Sequence, residues 1–144
     1  MGLFSKQKPA PLDERLESLQ QEYQNFRRRT AQELAQADEQ AVRRTVAQFL
    51  SVYDDLERAL QCECRDEAFY RGVQMIQTNL LAALAALHVK PMDSLGRCFN
   101  PDYHEAVEHV SDSAYREEQI IEVVQTGFTM DEEVIRHAKV IVAN

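Results

Sequence analysis

The chain has 144 residues, enough for one domain or two small ones, with 44% apolar and 28% charged side chains. Six Phe, five Tyr and no Trp argue against a large aromatic core and shift part of the burial onto a partner chain. The net charge of −8 is uneven, −1 over residues 1–60 and −7 over residues 61–144, and so acidic a second half argues against nucleic acid, whose phosphates need a basic footprint.

No apolar run approaches the roughly 18–20 residues of a membrane span, so no membrane partner is expected. The opening Met1-Gly2-Leu3-Phe4-Ser5-Lys6 lacks the apolar stretch of a signal peptide. It also sets Lys6 where a myristoylation signal needs Ser or Thr. With three cysteines and no export signal, the expected compartment is the reducing cytoplasm.

Residues 1–11, with Pro9 and Pro11 and little apolar material, read as a flexible tail. Asp13 and Glu14 then stand where negative charge suits a helix N-terminus. From there to Leu60 there is neither Gly nor Pro, which predicts one helix about 70 Å long. Leu12, Leu16, Leu19, Tyr23, Phe26 and Thr30 alternate steps of four and three. Leu34, Ala37 and Ala41 continue less cleanly, and Val46, Phe49, Tyr53, Leu56 and Leu60 resume the pattern. That is the coiled-coil period. A narrow stripe on so long a helix needs a second long helix, most simply from another copy of the chain.

Residues 61–67 read as a polar turn. A second helix follows, with Phe69, Val73, Ile76, Leu80, Leu84 and Leu87 on one face, broad enough for a bundle helix with several neighbours. Two such hairpins make a four-helix bundle. Leu16, Leu19, Tyr23, Phe26, Phe49, Leu56, Leu60, Val73, Ile76 and Leu80 are its expected dimer-interface residues. Residues 12–90 form this dimerisation region.

The character changes at Pro91. Pro91, Gly96 and Pro101 punctuate the chain, and β-branched residues follow: Ile120, Ile121, Val123 and Val124 in one run, Val134-Ile135 and Val140-Ile141-Val142 in another. Met130-Asp131-Glu132-Glu133 reads as the turn between them. Residues 91–144 are thus a small β-rich domain, dependent on its attachment to the helices. The fold class is α+β: long paired helices and a four-helix bundle in a homodimer, with a small C-terminal β-domain.

Catalytic chemistry is not visible. Cys62 and Cys64 are one residue apart, too close for the usual zinc pair, and Cys98, His104 and His109 complete no ligand set. His104-Glu105 has no nucleophile or oxyanion signature beside it. Four glycines in all leave no phosphate-cradling loop. No enzyme activity, metal or cofactor is expected. Arg27-Arg28-Arg29 reads as a solvated helix surface more readily than as a docking patch.

Particular residues point further. Phe99-Asn100-Pro101-Asp102-Tyr103-His104-Glu105-Ala106-Val107 resembles a motif of the GrpE family. Gly127-Phe128, Glu132, Ile135-Arg136, Ala138, Val140 and Val142 resemble its C-terminal motif. Asn25–Thr30 and Asp55–Leu60 are similar to stretches of its long helix, and the segment from Gly72-Val73 to Leu84 to its second helix. The resemblance covers residues 20–144.

It implies a homodimeric co-chaperone that engages the nucleotide-binding domain of a DnaK-type chaperone through a β-arm, favours its open form and accelerates ADP release. An adaptor with the same scaffold and another partner is the alternative. By the resemblance, Phe99, Pro101, His104, Ala106 and Val107 form the junction of bundle and β-domain. Gly127, Phe128, Glu133 and Arg136 bind the chaperone, Arg136 being the foremost exposed contact, with Asp131 or Glu132 as its competing partner. Glu132-Glu133 departs from the Gly-basic pair common in the family, and His88 occupies a helix end where Gly is common, predicting strain.

Overall fold

Leu12–Gln61 form one helix of 50 residues, α1, opened by Asp13 and Glu14 in its first turn and closed by Arg58 in its last. The structure is a computed structural model that describes residues 11–144; of the tail expected over residues 1–11, all but Pro11 lies outside the described residues. Two compact units divide the chain, the first ending at Ala41 and the second comprising Val42–Asn144.

In the first unit the apolar stripe of α1 is exposed among the described residues. Leu12, Leu16, Leu19, Tyr23, Phe26 and Leu34 are each more than half exposed. Arg29 pairs with Glu33 one turn on at 3.0 Å, and Arg27 lies 5.9 Å from the centre of the Tyr23 ring. Arg27 and Arg29 thus engage their own helix surface.

In the second unit the end of α1 packs against Leu84, Val89, Phe128 and Met130. Asp66 caps the second helix, α2 (Glu67–Ala86), its carboxylate accepting from the Ala68 and Phe69 N–H groups at 2.9 and 3.1 Å. The helix ends through Leu87, and His88 takes a left-handed φ of 60° while its N–H donates to the Ala85 carbonyl. The strained helix end expected at His88 is present.

Six strands follow: β1 (Val89–Pro91), β2 (His104–Val110), β3 (Gln119–Gln125), β4 (Phe128–Met130), β5 (Glu133–Arg136) and β6 (Ala138–Ala143). They form two three-stranded sheets, ordered β1-β4-β5 and β2-β6-β3. The first is antiparallel throughout. In the second, β6 lies parallel to β2 and antiparallel to β3. The Val134–Val142 run is therefore two strands in two sheets, the chain crossing between them at His137. β1 begins at Val89, so pairing starts two residues before the Pro91 boundary expected from sequence.

Each sheet has its own core. Val46, Leu50 and Tyr53 of α1, Leu84 of α2, Val89 of β1 and Phe128 and Met130 of β4 make the first. Ile120, Ala138, Val140 and Val142 make the second, flanked by Met92, Phe99, Ala106 and Val123. Val46 and Tyr53, read from sequence as part of one coiled-coil stripe, instead face their own chain's sheet, joined by Leu50. Phe49 keeps the other side, more than half exposed, and Leu56 and Leu60 are half-buried. This part of α1 is apolar on two faces, which a single stripe does not describe. Leu80 packs on the first core, whereas Ile76 is 57% exposed. Among the described residues no helix is long and apolar enough to cross a membrane.

Candidate functional site

The turn from β3 to β4 meets the last three turns of α1 through a dense set of polar contacts. Arg136 lies opposite Phe128 in the β4–β5 pairing, so both side chains face α1. The Arg136 guanidinium grips Asp54 with both arms, Nη1 to Oδ2 at 2.8 Å and Nη2 to Oδ1 at 2.7 Å. Its Nε and Nη2 also donate to the Thr126 carbonyl, at 3.2 and 2.6 Å. The pair is largely sheltered, with side chains 21% and 20% exposed. Such two-pronged, charge-assisted geometry fixes orientation as well as distance.

Neighbouring groups extend the network. Gln125 Nε2 donates to Asp54 Oδ2 at 2.9 Å, and the Thr126 hydroxyl donates to Glu57 at 3.0 Å. Glu57 also accepts from the Tyr53 hydroxyl at 2.9 Å. Burial, and then the hydrogen bond to Glu57, push the Tyr53 phenol up to about 12, so it holds its proton as a donor. Eleven residues before Asp54 on the same helix, Arg43 pairs with Glu133 of β5. The β4–β5 hairpin is thus fastened at points about 16 Å apart along α1.

Gly127 is required by a close approach. A Cβ there would sit 2.5 Å from the Ala138 backbone N and 2.7 Å from Met92 Sδ. Its carbonyl accepts from the Met92 N–H at 2.8 Å.

These positions revise several expectations. Arg136, read as exposed, is sheltered, and its partner is Asp54 in place of Asp131 or Glu132, because its strand register aims it at the helix. Phe128 is fully buried and Gly127 buried, so neither offers a side chain to a partner in this conformation. Glu133 remains 66% exposed beside Arg43. Asp54, Glu57 and Thr126 were missed; the first two are half-buried carboxylates that flank buried Tyr53, and nothing in the sequence sets them apart from the other acidic residues of α1.

The Phe99–Val107 segment serves the second sheet. Phe99 and Ala106 pack on its core, Pro101 is exposed, and Val107 is 48% exposed on β2. The polar contacts to α1 described above come from residues 125–136. His104 organises the segment: its Nδ1 accepts from the Asn100 N–H at 3.0 Å and its Nε2 lies 3.1 Å from the hydroxyl of buried Ser94. An accepting Nδ1 makes the ring neutral, with Nε2–H as donor. Burial, and then the charge of His137, lower its pKa from the ordinary 6.5. Cys62, Cys64 and Cys98 are free and exposed, and among the described residues no three His, Cys, Asp or Glu side chains gather as metal ligands.

What the fold defines is an α+β protein in which a long helix carries a small two-sheet region on its last turns, joined by a polar network. A sequence model of the GrpE family matches residues 4–144, and the chain belongs to that family. It is similar to proteins named Protein GrpE from Lachnoclostridium phytofermentans, 37% identical over 92% of this chain, and Clostridium acetobutylicum, 36% over 91%. A third, from Parageobacillus thermoglucosidasius, is 33% identical over 90%. The aligned parts make up 61%, 65% and 59% of those relatives, so the chain spans about six tenths of their length.

Proposed function

We propose that this protein is a homodimeric nucleotide exchange factor that binds the nucleotide-binding domain of a DnaK-type chaperone and accelerates ADP release. The match of residues 4–144 to the GrpE family carries the reading. Its role is one of binding without chemistry, in the cytoplasm, with no cofactor, metal, membrane or nucleic acid as partner.

The dimer rests on exposed apolar side chains. Leu16, Leu19, Tyr23 and Phe26 on α1, with Phe49, and Phe69, Met75 and Ile76 on α2, are all more than half exposed. Leu56, Leu60, Val73 and Leu80 border them. Paired helices from two chains cover such faces, and the 3.5-residue spacing on α1 suits a coiled coil.

Exchange follows from differential affinity. A ligand shifts a two-state equilibrium only by its preference for one state. Moving a closed chaperone from 1:99 to 99:1 in favour of the open form takes about 5.5 kcal/mol. A broad contact from helices and β-arm together supplies this better than a small patch. On the arm, Glu133 is the exposed member of the four chaperone-binding positions, while Arg136, Phe128 and Gly127 support it from beneath. Val107 and Val124, 48% and 55% exposed, offer apolar surface between the exposed carboxylates of Glu105, Glu108 and Glu122.

Stopped-flow release of fluorescent ADP from the DnaK of the same cell tests the reading. Acceleration by substoichiometric protein is the expected result. An unchanged rate, with pull-down of some other protein, would establish the adaptor alternative.

A further inference from the structure

We infer that Asp54 and Arg136, seconded by Glu57 and Thr126, form a positioning clamp that sets the orientation of the β-region on α1 and thereby the presentation of its outer face. For the effect on the chaperone this rests on the exchange-factor reading; for the effect on geometry it rests on the structure alone.

Three observations carry it. The first is the chemistry of the contact. Leu50 and Phe128 are 1% and 0% exposed, so the apolar core already joins helix and sheet. Replacing a sheltered ion pair by apolar groups is often neutral for stability; what a two-pronged guanidinium–carboxylate contact adds is a defined angle and register. The apolar contact is non-directional and tolerates sliding; the fork does not.

The second is convergence. Asp54 accepts from both Arg136 and Gln125, and Glu57 accepts from Thr126, whose carbonyl in turn accepts from Arg136. Side chains and backbone of residues 125–126 are therefore tied to one helical turn. Gly127, next in line, has no free space around its Cα, so the turn transmits its position directly into β4 and β6.

The third is leverage. Arg43 and Glu133 pair at the other end of the hairpin. Two attachments separated along the helix fix direction, where one would act as a pivot. An arm held in place has its ordering entropy discharged during folding; a loose arm loses that freedom on binding its partner. Loosening the clamp therefore weakens affinity and leaves the rate at saturation unchanged.

The test uses the whole protein. Spin labels on native Cys62 and on Glu108→Cys, with Cys64 and Cys98 replaced by Ser, report the distance between the end of α1 and β2 by pulsed electron resonance. Dimers diluted with unlabelled chain keep the measurement within one protomer. Arg136→Met and Asp54→Asn should broaden the distribution, while the exchanged pair Asp54→Arg/Arg136→Asp should narrow it again. In ADP release the concentration for half-maximal acceleration should rise about tenfold with Arg136→Met, at an unchanged maximal rate. An unaltered distance distribution in both single variants overturns the clamp. So does a fall in maximal rate with no shift in half-maximal concentration, the signature of a merely damaged fold. Should Arg136→Met fail to fold, Glu57→Gln carries the same test, broadening for the clamp and an unaltered distribution against it. If the wild type accelerates no ADP release, the exchange reading fails, and the distances still decide the clamp.

Discussion

Tyr53 of α1 meets Phe128 of β4 edge to face, ring centres 5.0 Å apart and planes inclined by 84°. On Phe128 the Arg136 guanidinium lies 5.5 Å from the ring centre, while the Tyr53 hydroxyl donates to Glu57. One apolar ring is thus held between two polar groups that both belong to the helix–sheet network. Aromatic edge contacts and cation–π contacts each contribute on the order of 1 kcal/mol beyond simple burial.

The network predicts strong coupling in stability. Arg136→Met alone should cost about 3 kcal/mol, since it strands a sheltered Asp54. With Asp54→Asn added, the loss should fall well short of the sum of the two single losses. Denaturant unfolding of all four members of the cycle measures this, and additive losses would show that the two side chains act independently.

Two glycines should respond with opposite signs. Gly127→Ala forces a Cβ against the Ala138 backbone and should cost about 3 kcal/mol, because backbone cannot yield as a flexible side chain does. Gly72, inside α2, has nothing within 4 Å of its would-be Cβ. Gly72→Ala should stabilise by about 1 kcal/mol through helix propensity. Thermal melts of the two variants beside the wild type check the contrast.

The β4–β5 hairpin turns through Asp131 and Glu132, with φ of 46° and 72°. Positive φ at both central positions marks the turn type that favours Asn-Gly or Asp-Gly. Glu132→Gly should therefore raise stability by about 1 kcal/mol, and His88→Gly, relieving the φ of 60°, should do likewise. Neither touches the clamp, so ADP-release rates of the folded variants should stay at the wild-type level.

His104 should make stability depend on pH. Its folded pKa lies below the ordinary 6.5, so between the two values the unfolded chain holds a proton that the folded chain lacks. Its contribution is complete above about pH 6.5 and is lost as pH falls through the folded pKa. Protonation also removes the Nδ1 acceptor from the Asn100 N–H. Unfolding midpoints taken between about pH 7 and pH 5 should decline for the wild type. His104→Asn should start lower and show a shallower decline.

Much of this architecture was legible in the chain itself. The absence of Gly and Pro between Leu12 and Leu60 announces α1, and the polar break over residues 61–67 announces that a second helix follows. The β-branched runs mark β3 and β6. Strand β2 was less visible, because Glu105, Glu108 and His109 are exposed and dilute its alternation. The site was legible only in part. Phe128 and Arg136 stand out in sequence, yet their roles depend on a helix more than seventy residues earlier.

The sequence by itself determined the helices, the β-rich character of residues 91–144 and the family, because hydrophobic period and breaker residues are local signals. Tertiary structure decided which apolar residues of α1 face their own chain, why Gly127 has no room for a side chain, and that Arg136 is spent on Asp54. Those outcomes depend on which surfaces meet when distant segments pack, and no spacing along one helix or strand encodes its partner across the core.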